Sequence, residues 1–340
     1  MTATKKAVQF SRTGNPADVV EYIDMETAPV GDDDALIDVE AAAINPSHLL
    51  TLSGSYGVQP ELPAVPGAEG IGIIGEVGKN VTNVKVGDRV MIPPYSGTWR
   101  QQVVVKASDI AVMFPEEGDP VQMAMIMANP PTAWLLLKSV VDLEPGDWVI
   151  QNAGNSAVGQ YVMQLAGIYG LKTVNVVRRE GLEDFVTAAG GDVCAVDGPD
   201  LGERVKAATG GAPIKLAIDA VAGEATQHLA DCLADGGTIA NYGLLSKQPC
   251  QVWPDDIIFR EITLTGVWLT LWLRKYSTPE ERHAVYSELA GYIAEGRMHA
   301  AVEATYPLSQ IKEAVTHAAR GERNGKVILL PNSEGGHVSP

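Results

Sequence analysis

The sequence predicts an α/β protein in which a doubly wound parallel sheet of six strands accompanies a separate β-rich domain. Three observations predict it. From Trp148 to Leu269 strand-like and helix-like segments alternate. Asp147–Gly170 followed by Lys172–Arg179 reads as a strand, a tight small-residue turn, a helix and a second strand. Residues 5–120 instead carry short alternating segments divided by turn residues, without intervening helices.

In chain order, the strands expected in the β-rich part are Lys6–Phe10, Asp34–Ala43, Ile71–Val77, Arg89–Ile92 and Trp99–Val105. Gly14–Pro16, Gly31–Asp33, Gly87–Asp88 and Pro93–Pro94 supply the turns, so an antiparallel, barrel-like domain is expected. Ile44–Leu50 reads as a helical turn starting near Asn45 or Ser47, and Thr51–Gly70 is a long Gly/Pro-rich loop carrying Tyr56 and Glu69. Val121–Ala128 and Thr132–Val140 read as helices broken at Asn129–Pro131. The parallel sheet follows, with strands Trp148–Asn152, Thr173–Val177, Val193–Val196, Lys215–Ala220, Gly237–Gly243 and Thr263–Leu269. Helices near 157–169, 181–189, 201–208 and 223–234 make the crossovers, and the stretch before the last strand is irregular. Helix Pro279–Glu295, strand Ala301–Pro307, helix 308–320 and strand Lys326–Leu330 are too few for a domain of their own and belong back with the first. The expected division is residues 1–123 with 271–340, and 124–270.

Composition narrows the partners. A chain of 340 residues with a net charge of −17 disfavours nucleic acid and anionic membrane. No run approaches the ~18 apolar residues of a membrane span, and Met1–Lys6 has no apolar core of a secretory signal. The tail Asn332–Pro340 reads as loose. Three dispersed cysteines, Cys194, Cys232 and Cys250, exclude a disulfide framework and a four-cysteine zinc site and fit a reducing cytoplasm.

The turn after Trp148–Ile150 is the first functional signal. Ala153–Ala157 holds only small or amide side chains, so its N–H groups and the following helix N-terminus are open to a phosphate. Gly154 and Gly159 have P-loop spacing, but Gln160 and Tyr161 stand where Lys and Ser/Thr are required, which excludes an ATPase loop. The dinucleotide fingerprint is incomplete, because Ser156 replaces its middle glycine. What strengthens it is the end of the second strand. An acidic residue there suits an NAD ribose, whereas arginine suits a 2′-phosphate. Arg178 and Arg179 occupy that place and favour NADPH.

These segments resemble the medium-chain dehydrogenase/reductase superfamily, and within it the zinc-independent 2-enoyl thioester reductases, with quinone oxidoreductases as a sister branch. The resemblance is carried by Asn45–Ser47, Gly54–Gly57 through Pro60–Pro63, Gly97–Arg100, Asn129–Ala133, Pro145–Asn152, Asn155–Gly159, Asn175–Arg178, Tyr242–Gly243 and Trp268–Thr270. It covers nearly all of residues 5–330. It implies a GroES-like catalytic domain and a Rossmann domain with an active site in the cleft between them. Zinc-dependent members use Cys and His at positions where this chain has Asn45–Ser47 and Ala68, so no metal is expected.

The resemblance also assigns roles. Tyr56 is the catalytic residue, donating a hydrogen bond to the thioester oxygen where charge develops. NADPH is bound by Asn129 and Thr132 near the nicotinamide, by Asn155, Ser156, Ala157 and Val158 at the pyrophosphate, and by Arg178 and Arg179 at the 2′-phosphate. Tyr242, Gly243, Leu244 and Leu245, with Val267, Trp268, Leu269 and Thr270, flank the nicotinamide at strand ends. Lys326 matches a further cofactor contact, and Asn45, Trp268 and Trp272 border the substrate pocket. The chain departs from the family at Glu180, where a third basic residue is frequent, in the turn Gly243–Leu245 after Tyr242, where a second glycine is common, and at His48, where an acid is common. The expected activity is NADPH-dependent reduction of a trans-2-enoyl-CoA or enoyl-ACP by a homodimer. The alternatives are reduction of a quinone or enone, and a non-catalytic NADPH-binding sensor or structural protein.

Overall fold

The computed structural model describes residues 4–115, 118–320, 323 and 325–333. The chain divides into two compact units, Met1–Ala128 with Pro279–Pro340, and Asn129–Thr278. Of the tail expected to be loose, residues 334–340 lie outside the described residues, as do residues 1–3 of the N-terminal stretch.

The first unit begins with β1 (Thr4–Gln9), α1 (Pro16–Val19), β2 (Glu21–Glu26), β3 (Asp34–Ile44), α2 (Pro46–Ser53), β4 (Ile71–Val77), β5 (Arg89–Met91), β6 (Gln102–Lys106), β7 (Met113–Phe114) and α3 (Pro120–Met123). β3 is its spine, pairing antiparallel with β4 and β6. β2, which gave no strand signal in the sequence, pairs antiparallel with β1. Its side chains are exposed or half-exposed, so it lacks the apolar alternation that marks a core strand. α3 is a single turn, shorter than the helix expected over Val121–Ala128.

The second unit runs α4 (Asn129–Lys138), β8 (Trp148–Gln151), α5 (Ala157–Ile168), β9 (Lys172–Val177), α6 (Glu183–Ala188), β10 (Val193–Val196), α7 (Leu201–Ala208), β11 (Ile214–Asp219), α8 (Glu224–Ala230), β12 (Thr238–Asn241), α9 (Pro254–Phe259), β13 (Thr263–Gly266) and α10 (Leu269–Leu271). Asn129–Pro131 does not break a helix but starts α4. Prolines fit there because N–H groups of a first helical turn have no intrahelical acceptor. The six strands are parallel in the order β10-β9-β8-β11-β12-β13. The winding direction reverses between β8 and β11, the place where such sheets bind ligands at their carboxyl ends. The stretch expected to be irregular contains α9, and β13 ends at Gly266, so Val267–Thr270 follow the strand instead of forming it. α10 continues into a π-helical turn, Trp272–Tyr276.

The chain then returns to the first unit with α11 (Pro279–Ala294), β14 (Val302–Tyr306), α12 (Ile311–Ala319) and β15 (Lys326–Leu329). β15 pairs antiparallel with β3 and parallel with β14, completing a seven-stranded sheet. Val8, Phe10, Leu52 and Trp99 pack with Ile311, Val315 and Val327 in one buried cluster. Among the described residues no helix is long and apolar enough to cross a membrane.

Candidate active site

In the second unit the sequence-predicted cofactor residues gather at the strand ends. Ser156 caps α5, its Oγ accepting from the Gly159 N–H at 3.1 Å. Ala153 takes a left-handed conformation with φ 49°, and the Gly154 N–H donates to the Val176 carbonyl at 3.0 Å. A Cβ on Gly159 would lie 2.5 Å from the Gly154 carbonyl oxygen, so the turn closes this tightly only with glycine there. The consequence is a narrow bend that starts α5 just after the carboxyl end of β8, where the N–H groups of a first helical turn have no intrahelical acceptor. A pyrophosphate fits that arrangement of donors and helix dipole.

Buried polar side chains fix the bend from below. Gln151 Nε2 donates to the Gly159 carbonyl at 2.9 Å and to Asn175 Oδ1 at 2.7 Å. Asp219, fully buried at the end of β11, accepts from Asn152 Nδ2 (2.7 Å), the Val221 and Ala222 N–H groups (both 2.9 Å), Thr226 Oγ1 (2.7 Å) and Asn241 Nδ2 (3.2 Å). Asn152 Oδ1 in turn accepts from the Ala220 N–H at 2.7 Å. One carboxylate thus ties together the ends of β8, β11 and β12, the strands at and beside the reversal point. The sequence reading missed Asp219 and Asn152. Their signal was a polar side chain at the carboxyl end of a buried apolar strand, the last residue of β11 for Asp219 and the first after β8 for Asn152.

Tyr242 directly follows β12, and burial pushes its phenol up, with the nearby Ser156 side chain opposing. Gly243 lies so close to Ala220 that a Cβ would meet its carbonyl oxygen at 2.4 Å. Leu244 and Leu245 are exposed, so the turn after Gly243 does not fold its leucines into the unit's core. The Val267 N–H continues the ladder to the Asn241 carbonyl at 2.8 Å, and Thr270 is buried one turn on. Asn129 and Thr132 stand in the first turn of α4, which packs on α5. Trp272 meets Trp134 of α4 with ring centroids 5.9 Å apart, while Trp268 is partly exposed. Arg178, Arg179 and Glu180 are exposed directly after β9.

In the first unit Tyr56 follows the left-handed cap Gly54 of α2. The Ser55 and Tyr56 N–H groups both donate to the Leu50 carbonyl, at 2.8 and 3.1 Å, and the Tyr56 carbonyl accepts from Gln59 Nε2 at 3.0 Å. The ring is half-buried. At the other end of α2, Asn45 is buried and does not line an open surface. Lys326 is buried beside it and donates to Asn45 Oδ1, while Asn45 Nδ2 donates to Glu69 Oε1. Lys326 is therefore no surface lysine. Burial pushes it down to about 8, with the Glu69 carboxylate opposing.

His48 is buried on the same helix, its Nδ1 and Nε2 each 3.0 Å from a backbone nitrogen, those of Asn45 and Ala68. A neutral ring accepts from one of them at a time. Burial, then the Lys326 charge, lowers His48 to about 3, which keeps it neutral. Among the described residues no group of three or more His, Cys, Asp or Glu side chains is placed to hold a metal ion.

Residues 31–115 match the alcohol dehydrogenase GroES-like domain, and residues 157–285 match the zinc-binding dehydrogenase domain. The mitochondrial enoyl-[acyl-carrier-protein] reductase of Caenorhabditis elegans is 40% identical over 290 residues, 82% of each chain. A mycobacterial quinone oxidoreductase superposes with a TM-score of 0.82 at 29% identity, over 96% of this chain and 100% of that one. The Candida tropicalis 2-enoyl thioester reductase Etr1p, solved with NADP and crotonyl-CoA, superposes with a TM-score of 0.87 at 24% identity, over 97% and 100%, and so shares the fold.

Proposed function

Because the chain belongs to the medium-chain dehydrogenase/reductase superfamily, among the enoyl thioester reductases, we propose that it reduces the double bond of a trans-2-enoyl-CoA or enoyl-ACP with NADPH. The observation that carries this reading is the glycine-closed bend at Gly154–Gly159 with Arg178 and Arg179 beyond the next strand. Bound NADPH would supply the hydride that goes to the β-carbon, and a proton at the α-carbon completes the saturated thioester.

The residues that would hold the cofactor are those at the strand ends. The α5 N-terminus with Asn155–Val158 takes the pyrophosphate, and Arg178 with Arg179 takes the 2′-phosphate by charge-assisted bonds. Asn129, Thr132, Tyr242–Leu245 and Val267–Thr270 flank the nicotinamide, Lys326 contributes a further contact, and Trp268 and Trp272 border the acyl chain. Tyr56 donates its phenolic hydrogen bond to the thioester oxygen, stabilising the negative charge that develops there. The same phenol, or a water it orders, delivers the α-proton. Zinc would need thiolate or imidazole ligands, and Asn45, Ser47 and Ala68 at the family's ligand positions offer none.

Turnover of crotonyl-CoA with NADPH tests the reading. Tyr56→Phe is expected to lower kcat by about 10²-fold or more while leaving the NADPH Kd within about threefold. Absence of turnover with any enoyl thioester, beside ready turnover of a quinone or enone, would replace the reading with the sister activity that the mycobacterial relative's name carries.

We further propose a homodimer formed through β13. That strand ends the parallel sheet with all four residues exposed, and beside it in the chain α9 exposes Ile257, Ile258 and Phe259. An uncovered strand edge beside exposed apolar side chains is the surface that a second copy covers best.

A further inference from the structure

Glu69 is fully buried, yet both of its carboxylate oxygens are engaged by different parts of the first unit. Oε1 accepts from Asn45 Nδ2 at the start of α2, and Oε2 accepts from the Ala128 N–H at 2.9 Å. The Glu69 carbonyl accepts from Thr98 Oγ1 at 2.7 Å. The counter-charge is indirect. Lys326 on β15 donates to the oxygen of the same Asn45 amide, whose nitrogen serves Glu69, so one amide stands polarised between cation and anion. Asn45, Glu69, Thr98 and Lys326 are each less than one-tenth exposed. A well-packed apolar core would serve stability at least as well as such a charged network. What the network adds is geometry.

That geometry leads to two places. α2 runs about two turns from its cap Asn45 to Gly54, and its Leu50 carbonyl holds the Ser55 and Tyr56 N–H groups. Any shift of the helix start is carried to Tyr56. On the other side, Ala128 directly precedes Asn129, and the neighbouring Met127 carbonyl is held by the Tyr286 hydroxyl at 2.9 Å. We infer that Glu69 is a positioning residue, which sets the place of Tyr56 by clamping the start of α2 to the backbone at Ala128, with Lys326 as counter-charge through Asn45. The inference rests on the proposed role of Tyr56. Glu69 touches no reacting atom; it acts through the tyrosine. A misplacement of about 1 Å in such an arrangement lowers a rate by up to about 10²-fold.

A double-mutant cycle on the whole enzyme tests this, with crotonyl-CoA and NADPH as substrates. Glu69→Gln keeps the shape but sets an amide N–H₂ against one of two donors, and kcat is expected to fall about tenfold or more. In a Tyr56→Phe background the same change is expected to cost less than about twofold, because the group it positions is already gone. The NADPH Kd, to which the first unit contributes only the Lys326 contact, stays within about threefold in both backgrounds, a split that general loss of structure would not give. An equal, additive loss in both backgrounds would overturn the positioning role while leaving the Tyr56 reading intact. A Tyr56→Phe enzyme as fast as the parent would overturn both. Should Glu69→Gln not fold, Asn45→Ser, which caps a helix but is too short to bridge, is run through the same cycle with the same expectation.

Discussion

Asp219 offers the sharpest energetic test of how the second unit holds its strand ends. Replacing it with alanine leaves Asn152 Nδ2, the Ala222 N–H and Thr226 Oγ1 without this acceptor, and all three residues are buried. At about 1–3 kcal/mol per orphaned donor the loss is at least about 3 kcal/mol, a large share of the roughly 5–15 kcal/mol that holds a domain folded. Asp219→Asn is the more informative change. Its oxygen still serves Asn152, Val221 and Ala222, and the Thr226 hydroxyl can turn round to accept from the new amide. Asn241 Nδ2, now facing another N–H₂, cannot. The three remaining bonds also lose their charge assistance, while the cost of burying a charge disappears.

These terms leave a net loss of about 2–3 kcal/mol, which corresponds to roughly 5–10 °C in Tm for a domain of this size. Calorimetry on the whole protein measures that shift. Titration with NADPH by fluorescence then reads the looser turns after β8 and β11 as a weakening of about tenfold. An Asn variant that melts within about 1 °C of the parent and binds NADPH equally well would refute the claim that this carboxylate organises the site.

Two further outcomes follow from the geometry. Arg178→Ala with Arg179→Ala should weaken NADPH by about 2–4 kcal/mol, the loss of charge-assisted bonds to a 2′-phosphate, and leave NADH nearly unchanged; equal weakening of both in parallel titrations would give the pair a folding role instead. Leu264→Lys with Phe259→Asp places charges on exposed positions of β13 and α9 and should halve the mass seen by light scattering, whereas an unaltered dimer would move the interface elsewhere.

Where side chains repeat with the period of their element, the sequence was legible. The buried run of β9 and the amphipathic spacing of α5 declare strand and helix, because apolar faces must be covered whatever the tertiary context. β2 escaped because its side chains face water, and α9 because its apolar residues are exposed and so form no core-facing stripe. Both elements are defined by what pairs with or covers them, which local sequence does not record. The prolines of α4 misled for a related reason: the same residue breaks a helix from inside and starts one from outside.

The candidate site divides along the same physical line. A glycine-closed turn and a pair of arginines at a strand end are local patterns, and local chemistry suffices to read them. Glu69 was visible only as an acid in a Gly-rich loop, and Lys326 only as a lysine near the C-terminus. Their relation spans most of the chain and passes through an amide on a third segment. Asp219 likewise looked like an ordinary strand end until Asn152 and Asn241 were brought beside it by parallel pairing of β11 with β8 and β12. Residues that touch ligand thus carry short-range signatures, because ligand chemistry fixes their type. Residues that position them are fixed by burial and by partners far away in sequence, and for those the fold must come first. That asymmetry places the weight of experiment on Glu69 and Asp219. If both clamps prove dispensable, the site is organised by packing alone, and the polar ties described for each unit are consequences of the fold instead of determinants of its chemistry.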